Sequence, residues 1–318
     1  MALPPSPDLS DTGLDSSGSL ESSGFQALEG SRSTVPRYLF RCYSPSSGSI
    51  CSVKRIRPRT PPTAFGPHTR DIVECHLRWG RQIESKFVSW TNSILVALVY
   101  AIRKLESDHY KDAKKEGICI AVLDVSTVPK TTPIYPANAL MEAFDLPYDT
   151  PYKQYNHSWE FLVHGKVKNT PSNQRFSVLA IEEFIADGLF SIFKPFQDPE
   201  SRLYARMNHV REELRLQSVV LDADIHAIAY MATSYHIEFA LPVASALTAM
   251  LPVDTRLPAN IKVLSECHFK GLRVPYSYLT QPQHSLNGPE DNEVSRFHRL
   301  MLSVCDLRID EERALQGR

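Results

Sequence analysis

Apolar and polar positions alternate differently in the two halves of the chain. "YLFRCYS" places Tyr38, Leu39, Phe40 and Tyr43 in a short aromatic and β-branched-like run, which predicts the first strand. "FVSWTNSILVALVYA" predicts a strand that passes straight into a helix. Its strand part has period two, so Ser89 and Thr91 share one face and Val88 and Trp90 the other. After Asn92, a favourable N-cap type, Ile94, Leu95, Val96, Leu98, Val99, Ile102 and Leu105 predict a helix buried on most sides. Arg103 and Lys104 near its end suit the negative pole of the helix dipole. "GICIAVLDVST" is a continuous apolar run with β-branched members and predicts a buried strand. "SWEFLVHGKV" and "RFSVLAI" predict two more strands, joined by "KNTPSNQ" and expected to pair as a hairpin with a long loop.

From about residue 182 the period becomes helical. "PESRLYARMNHVREELRLQ" carries Leu203, Met207, Val210 and Leu214 at helical spacing. "SVVLDADIHAIAYMATSYHI", "PVASALTAML" and "EVSRFHRLMLSVCDLRIDEE" predict further helices. Between the periodic segments, 70–80 predicts a short helix. "CSVKRIRPRTPP" reads as a basic, solvated loop, with a nuclear signal or a phosphate contact as the alternatives. The stretch 128–157, with prolines at 129, 133, 136, 147 and 151, reads as loop around a short helix at Ala137 to Phe144. Residues 1–34 are rich in Ser, Pro, Gly and Asp and predict a disordered tail. The organisation expected is a 1–34 tail, a β-rich domain over 35–185 and a helical region over 186–318.

Composition narrows the class. The 318 residues hold 35 Lys plus Arg against 36 Asp plus Glu, so global charge carries no nucleic-acid or membrane signal. The start, MALPPSPDLSDTG, lacks the pattern of a signal peptide, and no apolar run is long enough to span a bilayer. Six scattered cysteines without C-x-x-C give neither a disulfide framework nor a metal site. A cytoplasmic or nuclear protein with free thiols is the expectation.

Three strands each carry one polar residue among apolar neighbours: Arg41, Ser89 with Thr91, and Glu160. Singly, each has an ordinary structural explanation, such as capping, an ion pair or a solvent face. As an ordered set they resemble the mono-ADP-ribosyltransferases of the cholera and heat-labile enterotoxin type. "YLFRCYS" is similar to the first motif, "FVSWTNSILVALVYA" to the Ser-x-hydroxyl motif and its helix, and "EFLVHGKV", with Gly165 five residues after Glu160, to the catalytic strand. The set also resembles an uncharacterised family of fungal proteins with a YLFR … F-x-S-W … E-[FY]-L-V-x-G pattern and a helical C-terminal part. The likeness spans roughly residues 36–185.

The resemblance implies an α+β fold with a split mixed or antiparallel sheet and NAD as substrate. It implies Glu160, Arg41 and Ser89 as catalytic residues and Arg41, Ser89 and Thr91 as the NAD contacts, with no metal. Those residue types suit that chemistry. Breaking the nicotinamide–ribose bond builds an oxocarbenium-like cation, which a fixed carboxylate stabilises. A guanidinium fork matches pyrophosphate or ribose oxygens. Arginine-modifying members carry a second acid two positions before the glutamate, where this chain has Ser158. The acceptor, a protein or water, is therefore open. His157 and His164 are candidates for proton transfer, His164 the better by strand parity. The competing reading is an inactive relative that serves as an interaction module or as an accessory protein of a fungal pathway.

Overall fold

The computed structural model describes residues 28–44, 47–61, 65, 68–78, 84–106, 117–146, 159–198, 203–216, 222–252 and 292–316. Its centre is a six-stranded antiparallel sheet in the order β6-β7-β4-β1-β5-β9. The strands are β1 (Tyr38–Tyr43), β4 (Phe87–Thr91), β5 (Cys119–Asp124), β6 (Ile134–Pro136), β7 (Glu160–His164) and β9 (Phe176–Ala180). A second sheet of three strands, β2 (Ser49–Ser52), β3 (Arg55–Pro58) and β8 (Val167–Lys168), runs in the order β2-β3-β8. The fold is α+β, as expected. Gly165 has φ 127°, a backbone conformation that side-chain-bearing residues avoid, and it turns the chain out of β7 toward β8.

The basic segment expected to be a loop is instead the β2–β3 hairpin, with Val53 and Lys54 at its turn. Alternation explains it: Ile56 and Pro58 are buried while Arg55 is exposed, a half-buried strand written in arginines. The hairpin expected between "SWEFLVHGKV" and "RFSVLAI" does not form. β7 pairs with β4 and β6, and β9 pairs with β5 near the opposite edge. Order also begins before residue 35. Residues 28–34 form helical turns, Leu28 is 2% exposed, and the Arg32 guanidinium donates to the Tyr135 hydroxyl at 3.2 Å. The rest of the expected 1–34 tail lies outside the described residues.

The helices are α1 (Thr69–Leu77), α2 (Ile94–Glu106), α3 (Ala137–Ala143), α4 (Ile181–Ala186), α5 (Leu189–Ile192), α6 (Leu203–Leu216), α7 (Asp222–Thr233), α8 (Ile237–Thr248) and α9 (Glu293–Gln316). One continuous core joins Tyr38, Phe40, Ile120 and Val122 of the sheet to Leu98 of α2, Val210 of α6, Phe239 of α8 and Met301 of α9. The 185/186 division is therefore no boundary in the packing; the C-terminal helices cover the sheet. On the same sheet face a separate apolar cluster gathers Phe87, Leu162 and Tyr135 with Ile72 and Val73 of α1 and Leu140 of α3. The other face, with Leu39, Val88, Trp90 and Phe161, packs against Ile56 and Val167 of the small sheet.

Two ion pairs, the first buried on both sides and the second on its arginine side only, add to this packing. Arg37 Nη2 donates to Asp124 at 2.8 Å beside β1 and β5, and Arg206 of α6 pairs with Glu106 at the end of α2. No described helix is long and apolar enough to cross a membrane. Cys42, Cys51, Cys75, Cys119 and Cys305 are free thiols, as expected; Cys267 lies outside the described residues.

Candidate functional site

The three strands that carry the polar residues are neighbours, β1-β4-β7. Thr91 stands opposite Glu160, Ser89 opposite Leu162 and Phe87 opposite His164. Opposed residues share a face, so Ser89, Thr91 and Glu160 form a polar seam. It lies between the two apolar clusters of that face, the one containing Phe40 and the one containing Phe87 and Leu162.

Arg41 reaches this region differently. Phe40 is the β1 residue opposite Thr91, so Arg41 starts from the other face. This single pair is all that joins β1 and β4 in register. Alongside it the Arg41 guanidinium bridges the strands: Nη1 donates to the Ser89 carbonyl and Nη2 to Ser49 Oγ at 2.7 Å. Burial lowers the Arg41 pKa from its ordinary value. Arginine's intrinsic basicity keeps the group charged nonetheless. Burial also pushes the neighbouring Cys42 and Cys51 thiols up to about 12.

His76 of α1 completes the seam, and nothing in the sequence singled it out. Its Nε2 lies 2.7 Å from Ser89 Oγ and its Nδ1 2.5 Å from Ser85 Oγ. Ser85 Oγ already accepts from the Phe87 N–H at 3.0 Å. Two tautomers satisfy these groups: Ser85 donates to Nδ1 while Nε2–H donates to Ser89 Oγ, or Nδ1–H donates to Ser85 Oγ while Ser89 donates to Nε2. In the first, Ser89 keeps its own hydrogen for another acceptor in the seam. Burial lowers the His76 pKa to about 4, with Arg41 adding to the effect and Glu160 opposing it. The imidazole is neutral at pH 7.

Thr91 has local work: its Oγ1 accepts from the Ser93 N–H at 3.2 Å. The cap of α2 is Ser93 rather than Asn92, since Ser93 Oγ accepts from the Val96 N–H at 3.3 Å. The same hydroxyl donates to Glu293 of α9 at 2.8 Å. Glu293 also accepts from Arg211 of α6, at 2.9 Å from Nε and 2.7 Å from Nη2. Arg211 stacks over Trp159, 4.2 Å from the ring centroid, directly before Glu160. A buried ionic knot from the C-terminal helices therefore backs the turn that carries the catalytic candidate.

His164 shares the Glu160 face but lies at the far end of β7, roughly 13 Å along the strand. Its ring sits 5.0 Å from that of Phe65 and 5.2 Å from that of Phe87, a packing position. His157 and Ser158 lie outside the described residues. Among the described residues no group of three or more His, Cys, Asp or Glu side chains could hold a metal ion.

No curated protein and no solved structure matches the chain. Residues 34–178, a span holding Arg41, His76, Ser89, Thr91 and Glu160, match the model of a domain of unknown function, DUF7587.

Proposed function

We propose that the chain binds NAD in the β1-β4-β7 seam and breaks its nicotinamide–ribose bond. The ADP-ribosyl group then passes to a protein acceptor or to water. The observation that carries this reading is the adjacency of the three motif strands, with Ser89 and Glu160 on one face and the Arg41 guanidinium bonded to the Ser89 carbonyl. In this reading Glu160 faces the ribose and stabilises the positive charge that grows as neutral nicotinamide leaves with the bonding electrons. Ser89, held by His76, donates its remaining hydrogen to a ribose oxygen or to the Glu160 carboxylate. Arg41 starts from the other sheet face with both terminal nitrogens engaged, so in this reading it straps β1 to β4 and acts on NAD through its charge rather than by direct contact. Thr91 shapes the turn.

A second reading has its own observation. Both terminal nitrogens of Arg41 are engaged by protein acceptors. A bridging arginine is what an inactive interaction module would retain. Incubation with NAD separates the two, scored as nicotinamide release by chromatography alongside NAD-dependent thermal shift. Turnover that falls about a hundredfold or more in Glu160→Gln, with the thermal shift kept, supports the transferase or glycohydrolase reading. Absence of both shift and release in the wild type overturns it.

A further inference from the structure

The outer face of the small sheet has no part in the NAD reading. Ile56 and Val167 point inward and are each 1% exposed. Arg55, Arg57 and Lys168 therefore lie on the outward face, and Lys54 is exposed at the hairpin turn. Lys166 is exposed just before β8. Arg175 is pinned beside them, donating to the Lys168 carbonyl at 2.6 Å and the Thr127 carbonyl at 3.0 Å. The segments 47–61, 125–134 and 165–176 contain no acidic residue, although the whole chain is balanced. Among the described residues, Asp124 and Glu84 border the region, and both have partners. Asp124 is held by Arg37 and Ser126, and Glu84 accepts from Thr60.

A second observation points to a ligand. Arg55 stands directly opposite Lys168 across the β3–β8 ladder. Like charges in register destabilise a sheet, and an acidic residue at either position would relieve it. Arg55 and Lys168 are both exposed, and an external anion seated between them would relieve that repulsion.

We propose that this face binds the phosphate backbone of double-helical nucleic acid without reading its sequence. Arg55 and Arg57 are about 6.7 Å apart along their strand. That is about two 3.4 Å steps of one nucleic-acid strand. Arginine forks suit phosphate oxygens. None of the residues in the three acid-free segments is an exposed aromatic, so base stacking is not offered and the denser charge of a duplex wins over a single strand. Val53, 68% exposed between Ser52 and Lys54 at the hairpin turn, is a single apolar side chain, too small to anchor an acidic protein segment. The face lies across the main sheet from the Ser89–Glu160 seam, so it stands whether or not NAD is turned over.

The test is fluorescence anisotropy with a labelled 20-base-pair mixed-sequence DNA duplex, its single strand and polyglutamate, on the full chain. Duplex binding is expected, with a log–log salt slope near −3.6 if about four phosphates are neutralised. Arg55→Glu is the informative variant, because it turns the like-charged pair with Lys168 into an opposite-charged one. Duplex affinity should fall tenfold or more while the melting temperature holds or rises. Arg57→Glu should weaken binding in the same way. No duplex binding at 50 mM salt, preference for polyglutamate, or affinity unchanged in both variants each overturns the proposal.

Discussion

Glu293→Gln tests whether the C-terminal helices brace the turn before Glu160. The side chain is 4% exposed and accepts three hydrogen bonds, two of them from Arg211, itself 18% exposed. Removing one partner of a buried ion pair costs about 3–5 kcal/mol. Glutamine keeps one acceptor oxygen, and Arg211 retains some solvent and the Trp159 ring, so the expected loss is about 2 kcal/mol. For a chain of this size that is about 3 °C in melting temperature. The pH dependence has a definite sign. Burial alone would raise the Glu293 pKa, but the hydrogen bonds and charge of Arg211 outweigh it, and the folded value lies below the ordinary 4.5. Its stabilisation is therefore present above 4.5 and is lost as pH falls through the folded value. The gap between wild type and variant should be full at pH 7 and close under strong acid. Circular-dichroism melts at pH 7, 5 and 3 measure it. A gap under about 1 °C at pH 7, or one that persists unchanged at pH 3, would show that the ionic knot contributes nothing net, as happens with some buried pairs.

Other perturbations have separate readouts. Because folding holds the His76 pKa near 4, stability should fall as pH drops from about 6.5 toward 4, by about 3 kcal/mol; His76→Gln should flatten that slope in urea titrations. For the same reason any NAD turnover should show no His76 inflection between pH 5 and 8, and an ionisation in that window that disappears in His76→Gln would refute the neutral assignment. Ser89→Ala should lower turnover about tenfold and cost about 1–2 kcal/mol of stability, because the buried His76 Nε2 loses its partner. Cys42 and Cys51, pushed to about 12, should resist iodoacetamide at pH 8 in the native protein and react on denaturation, as read by intact mass.

The elements that were legible in the sequence are those whose apolar pattern is local. β1, β4, β5 and α2 are runs long enough to declare their period, and the helix at 69–77 followed from 70–80. The β2–β3 hairpin was hidden because only Ile56 and Pro58 mark its buried face, among four cations that suggest solvent. β6 is three residues between prolines, below any periodic signal. Partner choice was not legible at all. β7 and β9 are separated in sequence only by the two-residue β8, yet each completes a different half of the sheet, because closing the longer loops this needs adds little entropy cost beyond a short one. At the site, Ser89 and Glu160 were found by their polarity in apolar strands. His76 was missed because a histidine on an amphipathic helix shows its purpose only once α1 packs beside β4.

The one-pair seam between β1 and β4 gives the molecule a line of weakness. On one side stand β6, β7 and β4; on the other stand β1, β5 and β9, fastened by full ladders and by the helical layer. Across the line, backbone hydrogen bonding contributes little, and Arg41 serves as a strap made of side chain. A sheet fastened this way opens as two blades rather than fraying strand by strand. Native-state hydrogen exchange should show the amides of the β6-β7-β4 blade opening together, at lower free energy than those of β1-β5-β9. Arg41 then sets how far the blades part, and whatever occupies the seam acts on the same equilibrium as the strap.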